Sequence, residues 1–285
     1  MPVPALIDAA RLAALLREGQ RKILVADCRY SLTDPMAGAH AYAQGHIPGA
    51  VHADLGGLMS GPHSASGEGG RHPLPHPEAF ARGMAGLGAS GDTLIVAYDA
   101  SEAVFASRLW WLLRWIGHDK ACVLDGGLQA WLDAGGALSN ETPQPAPGDL
   151  QVRASIQPTA SFAQVLANVE SRERTVVDAR GADRYRGENE TLDPVGGHIP
   201  GALNRPYKNN LDGSGKFKPA KQLQTEFQAL LGEVPANRVI HQCGSGVSAC
   251  HNVLAMHVAG LDGGALYPGS WSEWCRQPGA PMARG

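Results

Sequence analysis

Apolar residues along this 285-residue chain follow two alternating rhythms. Short β-branched runs read as buried strands: Ile23-Leu24-Val25-Ala26, Thr93-Leu94-Ile95-Val96-Ala97-Tyr98, Thr175-Val176-Val177 and Val239-Ile240. Between them, apolar positions recur at helical spacing, as in Leu12 to Leu16, Phe105 to Trp115, and the set Ala249, Cys250, Val253, Leu254, Ala255 and Val258. Strands alternating with amphipathic helices predict an α/β fold in which a mostly parallel sheet is covered by helices on both faces. No apolar run approaches the roughly eighteen residues that a membrane span needs, so no membrane association is expected.

The two halves of this pattern repeat each other. Ile23 to Arg29 and Thr175 to Arg180 each read as a strand closing on an Asp-x-Arg turn, and Asp27 to Asp178 is an offset of 151. Gly45-His46-Ile47-Pro48-Gly49-Ala50 recurs as Gly197-His198-Ile199-Pro200-Gly201-Ala202, an offset of 152. The run ending at Tyr98 leads into Asp99 as the run ending at Gln242 leads into Cys243, and Gly126 to Trp131 parallels Gly269 to Trp274. Two copies make a tandem duplication; a solenoid would need more and shorter units. The proline-rich polar stretch Asn140 to Gly148 reads as a semi-rigid linker. The expected domains are therefore 1–139 and 159–285, joined by a linker over 140–158. Because both copies keep the histidine of the repeated hexapeptide, His46 and His198 are expected to be structural, in a turn feeding the next strand.

Composition narrows the chemistry. A hydrophobic fraction of 44% with 18% charged residues is that of a globular protein, and a net charge of −3 gives no reason to expect nucleic acid. Five cysteines, Cys28, Cys122, Cys243, Cys250 and Cys275, are odd in number and unpatterned, which argues against a disulfide framework. Zinc spacings are absent; His63, His72 and His76 lie in a Gly-, Ser- and Pro-containing segment that reads as a polar loop, so no metal or organic cofactor is expected. The amino end lacks a basic segment followed by an apolar core, so no signal peptide is expected, and the location expected is a reducing cytoplasm.

Cys243 is the chief candidate for chemistry. It ends a strand and opens the turn Gly244-Ser245-Gly246-Val247-Ser248, after which a helix begins. Strand, tight loop and helix aim backbone amides and the positive end of a helix at one sulfur, and such surroundings favour the nucleophilic thiolate. The loop amides of Gly244, Gly246, Val247 and Ser248 are the candidate donors.

Tandem Asp-x-Arg strands, paired Gly-His-Ile-Pro-Gly-Ala motifs and a single cysteine loop together resemble the two-domain rhodanese sulfurtransferases over essentially the whole chain. The resemblance implies two tandem rhodanese-like domains, with only the second catalytic. Asp99 at the first domain's cysteine position agrees, leaving that domain to shape the cleft. Cys-Gly-Ser-Gly-Val-Ser is similar to the Cys-Gly-Ser-Gly-Val-Thr signature of 3-mercaptopyruvate sulfurtransferases, whereas thiosulfate-using relatives carry two cationic or bulkier residues after the cysteine. By that resemblance Ser245 joins Cys243 in catalysis, and His72 completes a relay whose usual acidic member is replaced by Gly56, with Asp54 two residues earlier. Arg184 falls where these enzymes keep a substrate-binding arginine. Their second arginine would lie nine residues later, where this chain has Asp193; Arg186 could compensate.

The reaction implied is attack of the Cys243 thiolate on the sulfur of 3-mercaptopyruvate. A second nucleophile (cyanide, a thiol or a thioredoxin-like protein) then takes the sulfur from the resulting persulfide. The alternatives are a thiosulfate sulfurtransferase of the same fold and a persulfide carrier serving a protein partner. A phosphatase using Cys-x5-Arg is disfavoured, because Ala249 stands where the phosphate-gripping arginine would be.

Overall fold

A computed structural model describes residues 3–285. The chain forms two compact units. One holds residues up to Gly61, Pro75–Ile156 and Ser214–Lys216; the other holds Pro62–Leu74, Gln157–Gly213 and Phe217–Gly285. Both are α/β, each built on a wholly parallel sheet.

In the first unit the order is β1 (Leu6–Ile7), α1 (Ala9–Glu18), β2 (Ile23–Asp27), α2 (Ala37–Gln44), β3 (Val51–His52), α3 (Pro77–Gly86), β4 (Leu94–Tyr98), α4 (Val104–Trp115), β5 (Ala121–Leu124) and α5 (Gly127–Asp133). The sheet order is β1-β5-β4-β2-β3, which puts β4 at its centre with all five residues buried. A strand covered on both faces must be apolar throughout, and Leu-Ile-Val-Ala-Tyr is. The second unit runs α6 (Phe162–Ser171), β6 (Thr175–Asp178), α7 (Ala182–Arg186), β7 (Leu203–Asn204), α8 (Ala220–Leu231), β8 (Val239–Gln242), α9 (Ser248–Val258), β9 (Ala265–Leu266) and α10 (Ser270–Trp274). Its sheet order is β7-β6-β8-β9, so β8 again sits inside the sheet.

Local chemistry sets the ends of these elements. Asp8 caps α1 by accepting the Arg11 amide, and Ser161 with Gln164 forms a capping box on α6. Helices α4 and α9 follow the two equivalent loops, and an almost unbroken run of their residues is buried (Phe105–Leu113 and Ala249–Met256), which matches their nearly all-round apolar character. None of the helices among the described residues is long and apolar enough to cross a membrane.

The repeated motifs do repeated work. The Asp27 carboxylate grips the Arg29 guanidinium, whose Nη2 donates to the carbonyl of Gly45 at 2.7 Å. Asp178, Arg180 and Gly197 repeat the arrangement, again at 2.7 Å. Each fork ties the end of a strand to the start of a Gly-His-Ile-Pro-Gly-Ala segment. His46 stacks on Tyr42 and its Nδ1 meets the Tyr42 carbonyl; His198 does the same with Tyr185. Their backbones pair with Ser139 and Ala283, near the last residues of each repeat. Both histidines are packing groups.

Two segments fall differently from their sequence assignment. Pro62–Leu74 lies before the linker but belongs to the second unit, where Gly69 donates to Glu273 and Arg71 donates to Ser272. The stretch from Gly148 to Ile156 is bonded to the first unit, through Ala85, Ala89, Ile116 and Arg114.

Candidate functional site

Cys243 follows β8 directly, and its side chain is buried at 1% exposure. The strand ends at Gln242 and α9 begins at Ser248, so the loop spans Cys243 to Val247. In the first unit β4 ends at Tyr98 and α4 begins at Val104, which gives Asp99 the same place in a loop of the same length. The third residue beyond each has positive φ, 74° at Gly246 and 58° at Glu102. Asp99 fills its own loop: its carboxylate accepts the amides of Ser101, Ala103, Phe105 and Ala106. A loop of this shape thus turns its amides on one acceptor, and in the first unit the Asp99 carboxyl fills that place, burial raising its pKa while the amides oppose the rise.

The Cys243 loop is fixed from behind. The Cys243 amide donates to Ser270 Oγ at 3.1 Å, and the Ser270 hydroxyl donates to the Tyr267 carbonyl at 2.9 Å. The Trp271 and Ser272 amides reach back to the carbonyls of Cys243 and Gly244. Ser270 takes φ 52°, a conformation costly for a residue with a side chain, where the matching Gly127 of the first unit takes 58°. Gly246 is required for space as well as φ, because a Cβ there would lie 2.4 Å from the Pro268 carbonyl oxygen.

Beside the loop stand two of the residues expected from sequence. His72 Nδ1 lies 2.8 Å from Ser245 Oγ, and both groups are buried. Arg184, in the short helix α7, has both terminal nitrogens 3.5 Å from where a Cβ on Gly244 would be. Its guanidinium is held by Glu190 through three hydrogen bonds of 2.8 to 3.0 Å. Burial pushes the Glu190 carboxyl up, but Arg184 and the amides of Leu192 and Asp193 outweigh it and hold the group below its ordinary range. Arg180 adds a further cation, stacked on Trp271. Burial works against its charge, but Asp178, Glu190 and the Cys243 sulfur outweigh that and keep it firmly cationic.

One expected residue is placed elsewhere, and another lies in the first unit. Arg186 turns its guanidinium onto Glu188 at the surface, an ion pair two residues apart that satisfies both groups locally. Asp54 belongs to the first unit, where its carboxylate accepts the Gly57 amide. In exchange the structure supplies Arg71, which sequence reasoning did not single out. Its Nη2 lies 2.9 Å from the same Gly244 Cβ position, and its Nη1 donates to Asp193. The only sequence signal for it was the neighbouring His72.

Three of the other thiols, Cys28, Cys122 and Cys275, are less suited to nucleophilic work. Burial raises Cys28 well above its ordinary value, Cys122 to about 12, and Cys275 also upward, so each stays protonated near neutrality.

Comparisons with known proteins identify the family. The rhodanese-like domain family matches residues 8–134 and 161–277. The chain belongs to the rhodanese family. It is 44% identical over 98% of both chains to a Pseudomonas aeruginosa protein named "Probable 3-mercaptopyruvate sulfurtransferase". It is also 32% identical to the thiosulfate sulfurtransferase of Bos taurus, over 95% of this chain and 91% of that one. Among solved structures, the 3-mercaptopyruvate sulfurtransferase from Leishmania major matches with a TM-score of 0.83 at 30% identity, covering 96% of this chain and 75% of that one. As a rhodanese with such relatives the chain is an enzyme, a sulfurtransferase, and its two matched regions are rhodanese-like domains.

Proposed function

We propose that the enzyme transfers sulfur from 3-mercaptopyruvate to a thiophilic acceptor through a persulfide on Cys243. The observation that carries this reading is the convergence of three groups on one loop: the Cys243 sulfur at the end of β8, the Ser245–His72 pair at 2.8 Å, and the Arg184 guanidinium beside Gly244. A planar carboxylate suits a guanidinium, and an α-keto acid that leaves as an enolate needs a proton donor near its oxygen.

The Cys243 thiolate attacks the donor's sulfur. A sulfur–sulfur bond forms, the donor's carbon–sulfur bond breaks, and the electron pair moves onto the departing keto acid as its enolate. Ser245 donates its hydroxyl proton to the enolate with His72 replenishing it, and pyruvate leaves. The amides of Ser245 and Val247 occupy the positions whose counterparts bind Asp99 in the first unit, which supports their holding the charged sulfur. In the second half-reaction the acceptor takes the outer sulfur and returns the thiolate. The acceptor class is a small nucleophile such as cyanide, or a thiol such as a thioredoxin-like protein; five cysteines with no disulfide between them suit a reducing compartment such as the cytoplasm.

Thiosulfate is the second reading, because guanidinium groups beside Gly244 would also suit a sulfonate, and a relative of 32% identity is named for that donor. Steady-state rates on the two donors decide between them. A kcat/KM for 3-mercaptopyruvate at least tenfold above that for thiosulfate supports the proposal, and the reverse order moves the enzyme to the second reading.

A further inference from the structure

The second unit contains a cavity of about 640 Å³ that sulfur transfer leaves unused. All of its lining residues lie in that unit, and none belongs to the Cys243 loop. Its volume falls within the roughly 300–1,000 Å³ of small-molecule sites. Phe162, at the start of α6, forms one wall, and Pro73, Leu74 and Pro268 add apolar surface. The polar groups are the hydroxyls of Ser64, Ser66 and Ser161, the Gln277 amide, and two carboxylates, Glu68 and Glu273. No lysine, arginine or histidine lines it.

Glu273 decides the chemistry. It is 5% exposed, and its carboxylate accepts one hydrogen bond, from the Gly69 amide at 2.9 Å, with no ion pair to a cation among the described residues. A buried carboxylate so placed lacks the counter-charge that ordinarily offsets its desolvation. Tyr267, 1% exposed, shares the cavity wall. Burial, and then the charge of Glu273, push its pKa well up, so the phenol stays protonated. Its oxygen nonetheless has no partner in hydrogen-bonding geometry. Such an atom marks a place where a partner is missing. One group meets both needs: an ammonium donates to the Glu273 carboxylate and to the Tyr267 oxygen, while Phe162, Pro73 and Leu74 take an apolar body.

We infer that this cavity binds a small organic cation, a primary ammonium on a short apolar body, with Glu273 and Tyr267 as the groups that hold its head. The inference does not depend on which sulfur donor the enzyme uses. The site borders the catalytic loop without overlapping it: Pro268 lines the cavity, and a Cβ on Gly246 would lie 2.4 Å from the Pro268 carbonyl oxygen. Glu273 also follows Ser270, Trp271 and Ser272, which hold the backbone of Cys243 and Gly244. An occupant therefore rests on the segment that fixes the nucleophile.

The test is NMR titration of the full-length protein, in amine-free buffer, with phenethylamine and with 2-phenylethanol, the uncharged alcohol of the same length. Phenethylamine should bind at least about tenfold more tightly than the alcohol, as expected for a charge-assisted hydrogen bond in a buried setting. Glu273→Gln keeps an acceptor for the Gly69 amide and removes the charge, so it should weaken phenethylamine by about tenfold or more and leave the alcohol unchanged. Tyr267→Phe should weaken phenethylamine by about threefold or more. Ala163 lies exposed in the first turn of α6 and lines the cavity, so Ala163→Trp should block both probes while donor turnover stays near wild type. Equal affinities for the two probes, or phenethylamine binding unaffected by Glu273→Gln, would overturn the cation assignment. Binding that survives Ala163→Trp would place the probe elsewhere and overturn the site. If Glu273→Gln fails to fold, the probe pair and Ala163→Trp still decide. Loss of the sulfur-transfer reading would leave every one of these outcomes unchanged.

Discussion

Gly246 offers a measurable test of how tightly the Cys243 loop is built. Its φ of +74° and its approach to Pro268 are separate demands, since a Cβ would lie 2.4 Å from the Pro268 carbonyl oxygen and 3.1 Å from its carbon. Gly260, just past α9, has nearly the same φ of +73° with nothing within 4 Å of its Cβ position. Ala at Gly260 therefore isolates the backbone cost, about 1–2 kcal/mol, less what a stiffer unfolded chain returns. At Gly246 the clash is with backbone that cannot rotate away, which adds roughly 1–3 kcal/mol of overpacking. Gly246→Ala should thus unfold at clearly lower urea than Gly260→Ala. If the loop relieves the clash by shifting, the displaced nucleophile should lower kcat/KM by at least about tenfold. Urea melts and donor kinetics on both variants read the two costs. Equal midpoints, together with a Gly246→Ala kcat/KM close to wild type, would refute the argument.

Three further outcomes follow from the same geometry. Ser245→Ala and His72→Ala should each lower kcat for 3-mercaptopyruvate by about 10- to 1,000-fold, and the double variant should be little worse than either alone, because the pair acts as one unit; stopped-flow loading and steady-state rates measure this. His241 is buried with neither ring nitrogen hydrogen-bonded, and burial lowers its pKa from 6.5 to about 3. The unfolded chain therefore binds a proton there that the folded chain does not, so the stability present above about pH 6.5 should fall as pH drops toward 3. His241→Leu should flatten the slope of the melting temperature between pH 6.5 and 4, and an unchanged slope would contradict the assignment. Finally, Ser should be tolerated at Cys28, Cys122, Cys250 and Cys275 with activity largely retained, and loss of transfer in any one would point to a second essential thiol.

The legible parts of this protein were those set by local pattern. Strand ends, the helices Val104–Trp115 and Ser248–Val258, and the equivalence of Asp99 with Cys243 all come from short-range hydrophobic periodicity and internal repetition. His46 and His198 were legible as structural because both copies keep them, and their stacking on Tyr42 and Tyr185 gives the reason. Other features depend on distant packing. Arg71 carries no periodic signal, and it becomes part of the site only because Gly70 can approach Gly269 and Ser272, some two hundred residues later. Arg186 looked suitable by its nearness to Arg184, but Glu188, two residues on, satisfies it at the surface. Asp193 read as a missing cation, whereas its carboxylate organises three cations.

The central claim is that one sulfur passes through Cys243. Incubating the protein with 3-mercaptopyruvate in the absence of acceptor, followed by intact and peptide mass spectrometry, tests it directly. The account predicts one added sulfur, located on Cys243, lost on addition of cyanide and absent in Cys243→Ser. Added sulfur on Cys250 or another cysteine, or undiminished turnover by Cys243→Ser, would contradict it.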